Sequence, residues 1–276
     1  MLTKCGLKTR LCLFIILKHT QPSYQEPACR AALHHHGLNS FDAWWSREID
    51  WFEAPNQRRG GWSGVGRLVL PLDNQPALTL FVKKQQNHGR RSWCHPLAGE
   101  PTFRREFDRL QALAAAGIPA PKVLMYAESL QAGNQRAILV TENLHGFTDL
   151  EQLLPALLAQ QLGIRRTVLR AVARQIRRFH DVGWVHRALY PKHIFVRTGD
   201  VAPEVALIDL EKARKSLGAW RRARFDLAAL HRHTDGLSRS DRLYFFKQYL
   251  HGEAFSHPLG KSDKCLLKLI TQRSKR

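Results

Sequence analysis

The sequence predicts an α+β protein with a strand-rich first half and a mainly helical second half. Apolar runs of strand length, at 65–70, 77–84, 122–127 and 137–142, crowd the part before residue 143. Longer segments with helical periodicity, at 150–158, 165–180 and beyond 212, follow it. Between the two lies a polar, glycine-containing break, ENLHGFTDL, residues 142–150. A chain of 276 residues, 44% hydrophobic and with seven Trp, can bury a sizeable core, which excludes a disordered polycation.

Taken in order, residues 1–30 read as a poorly specified extension. Lys4, Lys8 and Arg10 precede an apolar run at 11–17, but Lys18 and His19 follow at once and no small-x-small cleavage pattern appears. The run is too short to span a bilayer. The organised chain is then expected as 31–143 and 144–276. Residues 41–52 hold Trp44, Trp45, Trp51 and Phe52 among acids, which suits a short helix running into a strand. In NQRRGGWSGVGRLVL (56–70), Gly60, Gly61, Gly64 and Gly66 predict a glycine-rich turn whose backbone N–H groups can approach a phosphate. A plain hairpin is the other reading of the same glycines.

The strand ALTLFVKK (77–84) ends in Lys83 and Lys84. A helix follows over 102–116, with Thr102 as N-cap and Gly117 and Pro119 at its end. Its apolar stripe is Phe103, Phe107, Leu110 and Leu113, and Glu106 lies inside that stripe. A carboxylate facing inward needs a cationic partner, and the lysines ending the preceding strand are the nearest candidates; a Glu at the edge of the stripe that reaches water is the other reading. Helix 165–180 buries Val168, Leu169, Val172, Ile176 and Phe179, and turns Arg166, Arg170, Arg174 and Arg177 the other way, to solvent or to an anion. Next comes the stretch 180–212: a His-rich turn, an apolar strand, a polar turn, and a second strand delivering Asp209 at its end. Beyond Lys212 the chain is basic and helical, and its tail, KCLLKLITQRSKR, is a short basic amphipathic segment.

Charge is the outlier. With 43 Lys and Arg against 23 Asp and Glu the chain carries +20, which predicts attraction to nucleic acid, anionic lipid or phosphorylated glycolipid. Nucleic acid is disfavoured, because the basic residues spread over several helices without a helix-turn-helix or zinc-finger pattern. Five scattered cysteines, never in CxxC spacing, point to a reducing compartment without a zinc site or disulfide framework. His34–His36 and His231/His233 read as surface histidines.

The ordered set of glycine turn, strand ending in Lys, helix with an inward Glu, basic helix, HRALYPKHIFV and LIDLEKAR resembles the two-lobed protein-kinase-like fold, a β-rich N-lobe and a helical C-lobe closing over ATP. More narrowly, RRGGWSGV, FVKKQ and LYPKHIFV resemble the lipopolysaccharide kinase family of heptose and Kdo kinases, in its InaA branch. The resemblance covers roughly residues 38–250. It implies ATP and Mg²⁺ as cofactors, with Gly60, Gly61 and Gly64 over the nucleotide phosphates and Lys83 on the α/β-phosphates, paired with Glu106. Strand alternation leaves Lys83 and Lys84 open; the family pattern favours Lys83. Glu142 and Asn143 fall in the hinge against the adenine, and Asp209 is the metal ligand.

The departures are as informative. The fold's His-Arg-Asp motif reads His186-Arg187-Ala188, so the usual proton acceptor is absent. His193 stands where the second metal ligand, Asn, belongs, and can contact metal or phosphate; Lys192 can neutralise the transferring group. Asp-Phe-Gly is reduced to Asp209-Leu210-Glu211. The implied activity is phosphate transfer to a sugar hydroxyl of lipopolysaccharide core, by a cytoplasmic protein able to make peripheral contact with the anionic inner membrane. Ala188 motivates the alternative, a nucleotide-binding pseudokinase with a regulatory role.

Overall fold

The computed structural model describes residues 22–58, 60–73, 75–90, 99–199, 202–254 and 256–272. Most of the expected extension at 1–30, the middle of the loop after Lys84 and the last four residues lie outside them. The chain forms two compact units: residues 1–104 with 123–142, and residues 105–122 with 143–276.

In the first unit, β1 (Tyr24–Gln25), α1 (Arg30–His35), α2 (Phe41–Ser46), β2 (Asp50–Trp51), β3 (Asn56–Arg58), β4 (Gly61–Leu72) and β5 (Gln75–Gln86) come first. They are followed by β6 (Gly89–Arg90), β7 (Glu100–Pro101) and the start of α3 (Thr102–Ala115), and then by β8 (Val123–Gln131) and β9 (Asn134–Glu142). The main sheet is antiparallel in the order β1-β8-β9-β5-β4-β2, with β3 also paired to β4. Its period-2 alternation puts Leu68, Leu70, Leu80, Val82, Ile138 and Val140 on one face. That face is covered by Leu33, Leu38, Phe41 and Trp44 from α1, α2 and the turn joining them. Ser40 starts α2 by accepting from the Ala43 N–H at 3.2 Å, and the Trp44 indole donates to the Leu38 carbonyl at 3.1 Å.

The start of α3 is held from β5. The Gln85 amide oxygen accepts from the Thr102 hydroxyl (2.9 Å) and the Phe103 N–H (3.0 Å). The helix ends where the sequence predicts: Gly117 takes φ +64°, and the Ile118 N–H closes on the Leu113 carbonyl at 2.9 Å. Phe103, Leu110 and Leu113 are buried, and Glu106 is buried among them at 5% exposure.

The second unit continues with β10 (Thr148–Asp149), α4 (Leu150–Ala159), α5 (Leu162–Asp181), β11 (Trp184–Val185), β12 (Ile194–Arg197), β13 (Glu204–Leu207) and β14 (Arg214–Lys215), then α6 (Ala219–Arg232), α7 (Arg239–His251) and α8 (Lys261–Gln272). Asp149 caps α4 by accepting from the Gln152 N–H at 2.9 Å. Helix α5 buries the stripe read from its sequence, with Ala173, Gln175 and His180 added. The β12–β13 hairpin pairs Ile194 with Leu207, so the turn before β12 and the residues after β13 are brought side by side.

Candidate functional site

In the second unit the site is built around one buried carboxylate that the sequence reading left unassigned. Asp226, on α6, is fully buried. Its Oδ2 accepts from the His186 N–H at 2.7 Å and faces His180 Nε2 at 2.9 Å, while Oδ1 accepts from the Arg187 N–H at 2.8 Å. His180 Nδ1 in turn lies 2.7 Å from the Tyr249 hydroxyl. With Nε2–H donated to the carboxylate, Nδ1 accepts from the tyrosine, whose pKa burial raises. Three elements, α5, α6 and α7, are thereby tied to the backbone of the His186-Arg187-Ala188 turn. The available signal was Asp226 itself, an acid set among the buried Ala223, Leu227 and Leu230 of α6.

The tie holds a strained turn. Arg187 has φ +68°, left-handed for a residue with a β-carbon. His186 is buried, and burial lowers its pKa, so the ring is neutral. Its Nε2 lies 3.0 Å from the Ile208 carbonyl and donates to it, joining this turn to the residue before Asp209. Ala188 is buried at 2% exposure, so no side chain projects where the fold's proton acceptor would stand.

Asp209 and His193 meet. Asp209 sits just past β13 with φ 56° and ψ 57°, and its Oδ2 lies 3.3 Å from His193 Nε2. His193 Nδ1 is 2.8 Å from the Ala188 carbonyl, which can only accept, so that nitrogen carries the proton. With one proton on the ring, the Nε2 lone pair would face a carboxylate oxygen. Two acceptors at that distance require a cation between them or a second proton on the ring. The main-chain carbonyl of Ala188 thus orients the His193 ring. Lys192, in the same 3-10 turn (Pro191–His193), is exposed. Among the described residues no third His, Cys, Asp or Glu joins the pair to complete a metal cage. Arg109 of α3 donates to the Glu211 carbonyl and ties that helix, which also carries Glu106, to the turn after Asp209.

In the first unit the two lysines separate. Lys84 is buried, and its ammonium donates to the Trp45 carbonyl (3.0 Å) and the Arg47 carbonyl (2.6 Å), closing the C-terminal end of α2. Burial lowers its pKa to about 8. Lys83 projects from the opposite face of β5, the face from which Gln85 reaches the start of α3.

The glycines are a correction to the expected turn. Gly60 alone turns, with φ +76°, while Gly61, Gly64 and Gly66 lie within β4. A β-carbon at Gly64 would stand 2.6 Å from the Trp51 ring, at Gly66 2.7 Å from the Asp50 carbonyl oxygen, and at Gly61 2.3 Å from the Asn87 carbonyl oxygen. These three glycines admit neighbouring chain. Glu142 ends β9, Asn143 begins the second unit, and the Asn143 carbonyl accepts from the His145 N–H at 3.1 Å.

The arginine face of α5 also differs from expectation. Arg166 lies 3.8 Å from Asp241 and Arg177 2.8 Å from Asp181, so both are drawn into ion pairs. Two of the histidines read as surface groups are bonded as well: His36 faces the Pro71 carbonyl at 2.8 Å, and His231 Nδ1 lies 2.6 Å from the Arg242 guanidinium.

These features agree with comparison to known proteins. The fold is similar to that of WaaP in complex with acyl carrier protein, with a TM-score of 0.63 at 24% identity, over 91% of this chain and 96% of that one. It is therefore the two-lobed, kinase-like α+β fold. Protein InaA of Escherichia coli is 31% identical over 205 residues, 74% of this chain and 92% of its own length. The lipopolysaccharide core heptose(I) kinase WaaP of Pseudomonas aeruginosa is 29% identical over 156 residues, 53% of this chain and 58% of its own. A 3-deoxy-D-manno-octulosonic acid kinase of Mannheimia succiniciproducens is 32% identical over 131 residues, 46% of this chain and 51% of its own, so the match spans little more than half of each kinase. Residues 42–249, most of the chain and all of the site, match the lipopolysaccharide kinase (Kdo/WaaP) family, and the chain belongs to that family.

Proposed function

We propose that the protein is an ATP-dependent kinase transferring the γ-phosphoryl group to a sugar hydroxyl of lipopolysaccharide core. The observation that carries this reading is the facing of His193 Nε2 and Asp209 Oδ2 at 3.3 Å on a turn clamped by Asp226. The pair fits a divalent cation: it offers one imidazole nitrogen and one carboxylate oxygen with no group between them. Mg²⁺ is commonly held by one or two protein ligands, with phosphates and water filling the remaining positions. When bound it would supply charge neutralisation on the phosphates.

The other roles belong to the chain. Asp209 and His193 hold the cation, and Lys192 offsets charge on the transferring group. Lys83, paired with Glu106, orients the α/β-phosphates; the engagement of Lys84 at α2 and the location of Gln85 on Lys83's face support that choice. Gly60, Gly61 and Gly64 form the hairpin over the phosphates, and Glu142 and Asn143 receive the base. Phosphoryl transfer passes through a loose transition state, so positioning and electrostatics dominate and the loss of a base at Ala188 is tolerable. The acceptor is an anionic glycolipid approached by a basic protein acting at the cytoplasmic face of the inner membrane.

The first test is thermal unfolding with Mg-ATP. A nucleotide site predicts a rise in Tm by mass action, about 2.7 kcal/mol of stabilisation at a hundredfold excess over Kd. The rise should vanish in Lys83→Ala and in Asp209→Asn; an unchanged rise in both would remove these residues from the site. Transfer of labelled phosphate from ATP to core lipopolysaccharide then tests catalysis. The buried Ala188 favours one alternative, a nucleotide-binding pseudokinase with a regulatory role. It predicts the Tm rise with no transfer at saturating acceptor.

A further inference from the structure

Helix α5 carries a second row of arginines beside the two in the ion pairs above. Arg170, Arg174 and Arg178 recur every fourth residue, about 6 Å apart along the axis, on the side away from the buried stripe. They line a cavity of about 360 Å³ closed on its far side by Pro119 and by Pro203 and Glu204 before and within β13. Among the described residues Glu204 is the one acid lining it, and Arg197 already engages it at 2.6 Å. Arg178 is held in place, donating to the Gly117 carbonyl at 2.9 Å and to the Gln175 amide oxygen at 3.4 Å.

Gln175 supplies an independent sign of a ligand. It lines the same cavity at 5% exposure, and its amide nitrogen is buried with no hydrogen-bond partner. An orphaned buried donor loses its hydrogen bond to water without replacement, so such groups call for an acceptor. Here the neighbouring groups are guanidinium forks, which are donors only. A site that offers N–H groups from an amide and from arginines spaced over two helical turns wants several acceptor oxygens and negative charge. Phosphate meets arginine forks bidentately and carries more charge and more oxygens than one carboxylate.

We propose that this cavity binds a phosphorylated ligand of the phosphomonoester or diphosphate class, through Arg170, Arg178 and Gln175, at a place sharing no residue with the Asp209 site. The same chemistry is offered by a soluble phosphorylated metabolite and by a phosphomonoester lipid headgroup.

The test is calorimetric titration of pyrophosphate, without divalent cation, into the full chain carrying Lys83→Ala, which removes the lysine assigned to nucleotide phosphates. One site is expected. Arg170→Ala and Arg178→Ala should each weaken it roughly tenfold or more, Gln175→Leu should weaken it with unchanged circular dichroism, and Arg170→Lys, which keeps charge without the fork, should fall between. Affinity unchanged in Arg170→Ala/Arg178→Ala, or no binding in the Lys83→Ala chain, overturns the proposal. Sedimentation with phosphatidic acid vesicles, against phosphatidylcholine vesicles, distinguishes the sources. Vesicle binding abolished by the arginine changes assigns a headgroup, and pyrophosphate binding without vesicle binding assigns a soluble ligand. Because ATP binding is read separately, failure here leaves the kinase reading intact.

Discussion

Asp209 adopts φ 56° and ψ 57°, a left-handed region that few residues enter apart from glycine, asparagine and aspartate. Such strain persists only where surroundings over-determine it, and at a clustered polar site it is the usual mark of function. Arg187, φ +68°, is a second instance a few ångströms of hydrogen bonding away. Both are stabilised through Asp226, directly at Arg187 and by way of His186 and Ile208 at Asp209. Asp226→Asn tests that dependence. The amide oxygen can replace one acceptor, but the new NH₂ would point at a donor, either a backbone N–H or His180 Nε2–H. A loss of about 3 kcal/mol in urea unfolding is expected. A loss under ~1 kcal/mol would mean that the turn stands without its carboxylate.

Among the elements, β4 and β5 show how packing and function share a strand. Gly64 admits the Trp51 ring, so Gly64→Ala should cost roughly 1–3 kcal/mol by overpacking, read as a lower urea midpoint at unchanged m-value. An unshifted midpoint would mean that Trp51 moves aside freely. Lys84 gives β5 a pH signature. Its folded pKa of about 8 lies below the unfolded value of 10.5, so between those limits the unfolded chain binds more protons. The contribution of this group to stability therefore rises from pH 8 to 10.5, by on the order of 1–3 kcal/mol, and is flat below pH 8. Lys84→Met should remove that slope; an identical profile in both proteins would show that the ammonium keeps an ordinary pKa.

The same strands show what could be read in advance. Alternation and helical periodicity point to the strands and to the buried stripe of α5, and Gly117 to the end of α3, because these are local properties. Thr102, by contrast, lies inside α3 with its hydroxyl on Gln85 and does not cap it. Local patterns could not say that three glycines make room for Trp51, Asp50 and Asn87, nor that Lys84 closes a helix 37 residues earlier in the chain. Those facts depend on contacts between segments distant in sequence. Asp226 stayed unassigned for the same reason: the partners of a buried acid are named by tertiary structure. His193 and Asp209 were singled out together, but only the β12–β13 register sets them 3.3 Å apart.

At the scale of the whole molecule, the excess of 20 positive charges is its dominant electrostatic property. Several of the few acids are already committed: Asp241 to Arg165 and Arg166, Glu128 to Arg104, Asp181 to Arg177, and Glu204 to Arg197. The exposed pairs contribute little and are screened by salt, whereas Asp241 is 1% exposed and its pairing is screened much less. What remains over the surface is repulsion among cations, which disfavours the compact state. Salt should therefore stabilise this protein. Raising NaCl from ~10 to ~300 mM shortens the Debye length from roughly 30 to below 10 Å. A gain of about 1 kcal/mol, or some 2 °C in Tm, is expected. Equal ionic strength of phosphate should raise Tm further, because a multivalent anion can also occupy the arginine-lined cavity. A Tm that falls with NaCl would place the exposed ion pairs above the repulsion, and would weaken the case that this surface is shaped for a polyanionic partner.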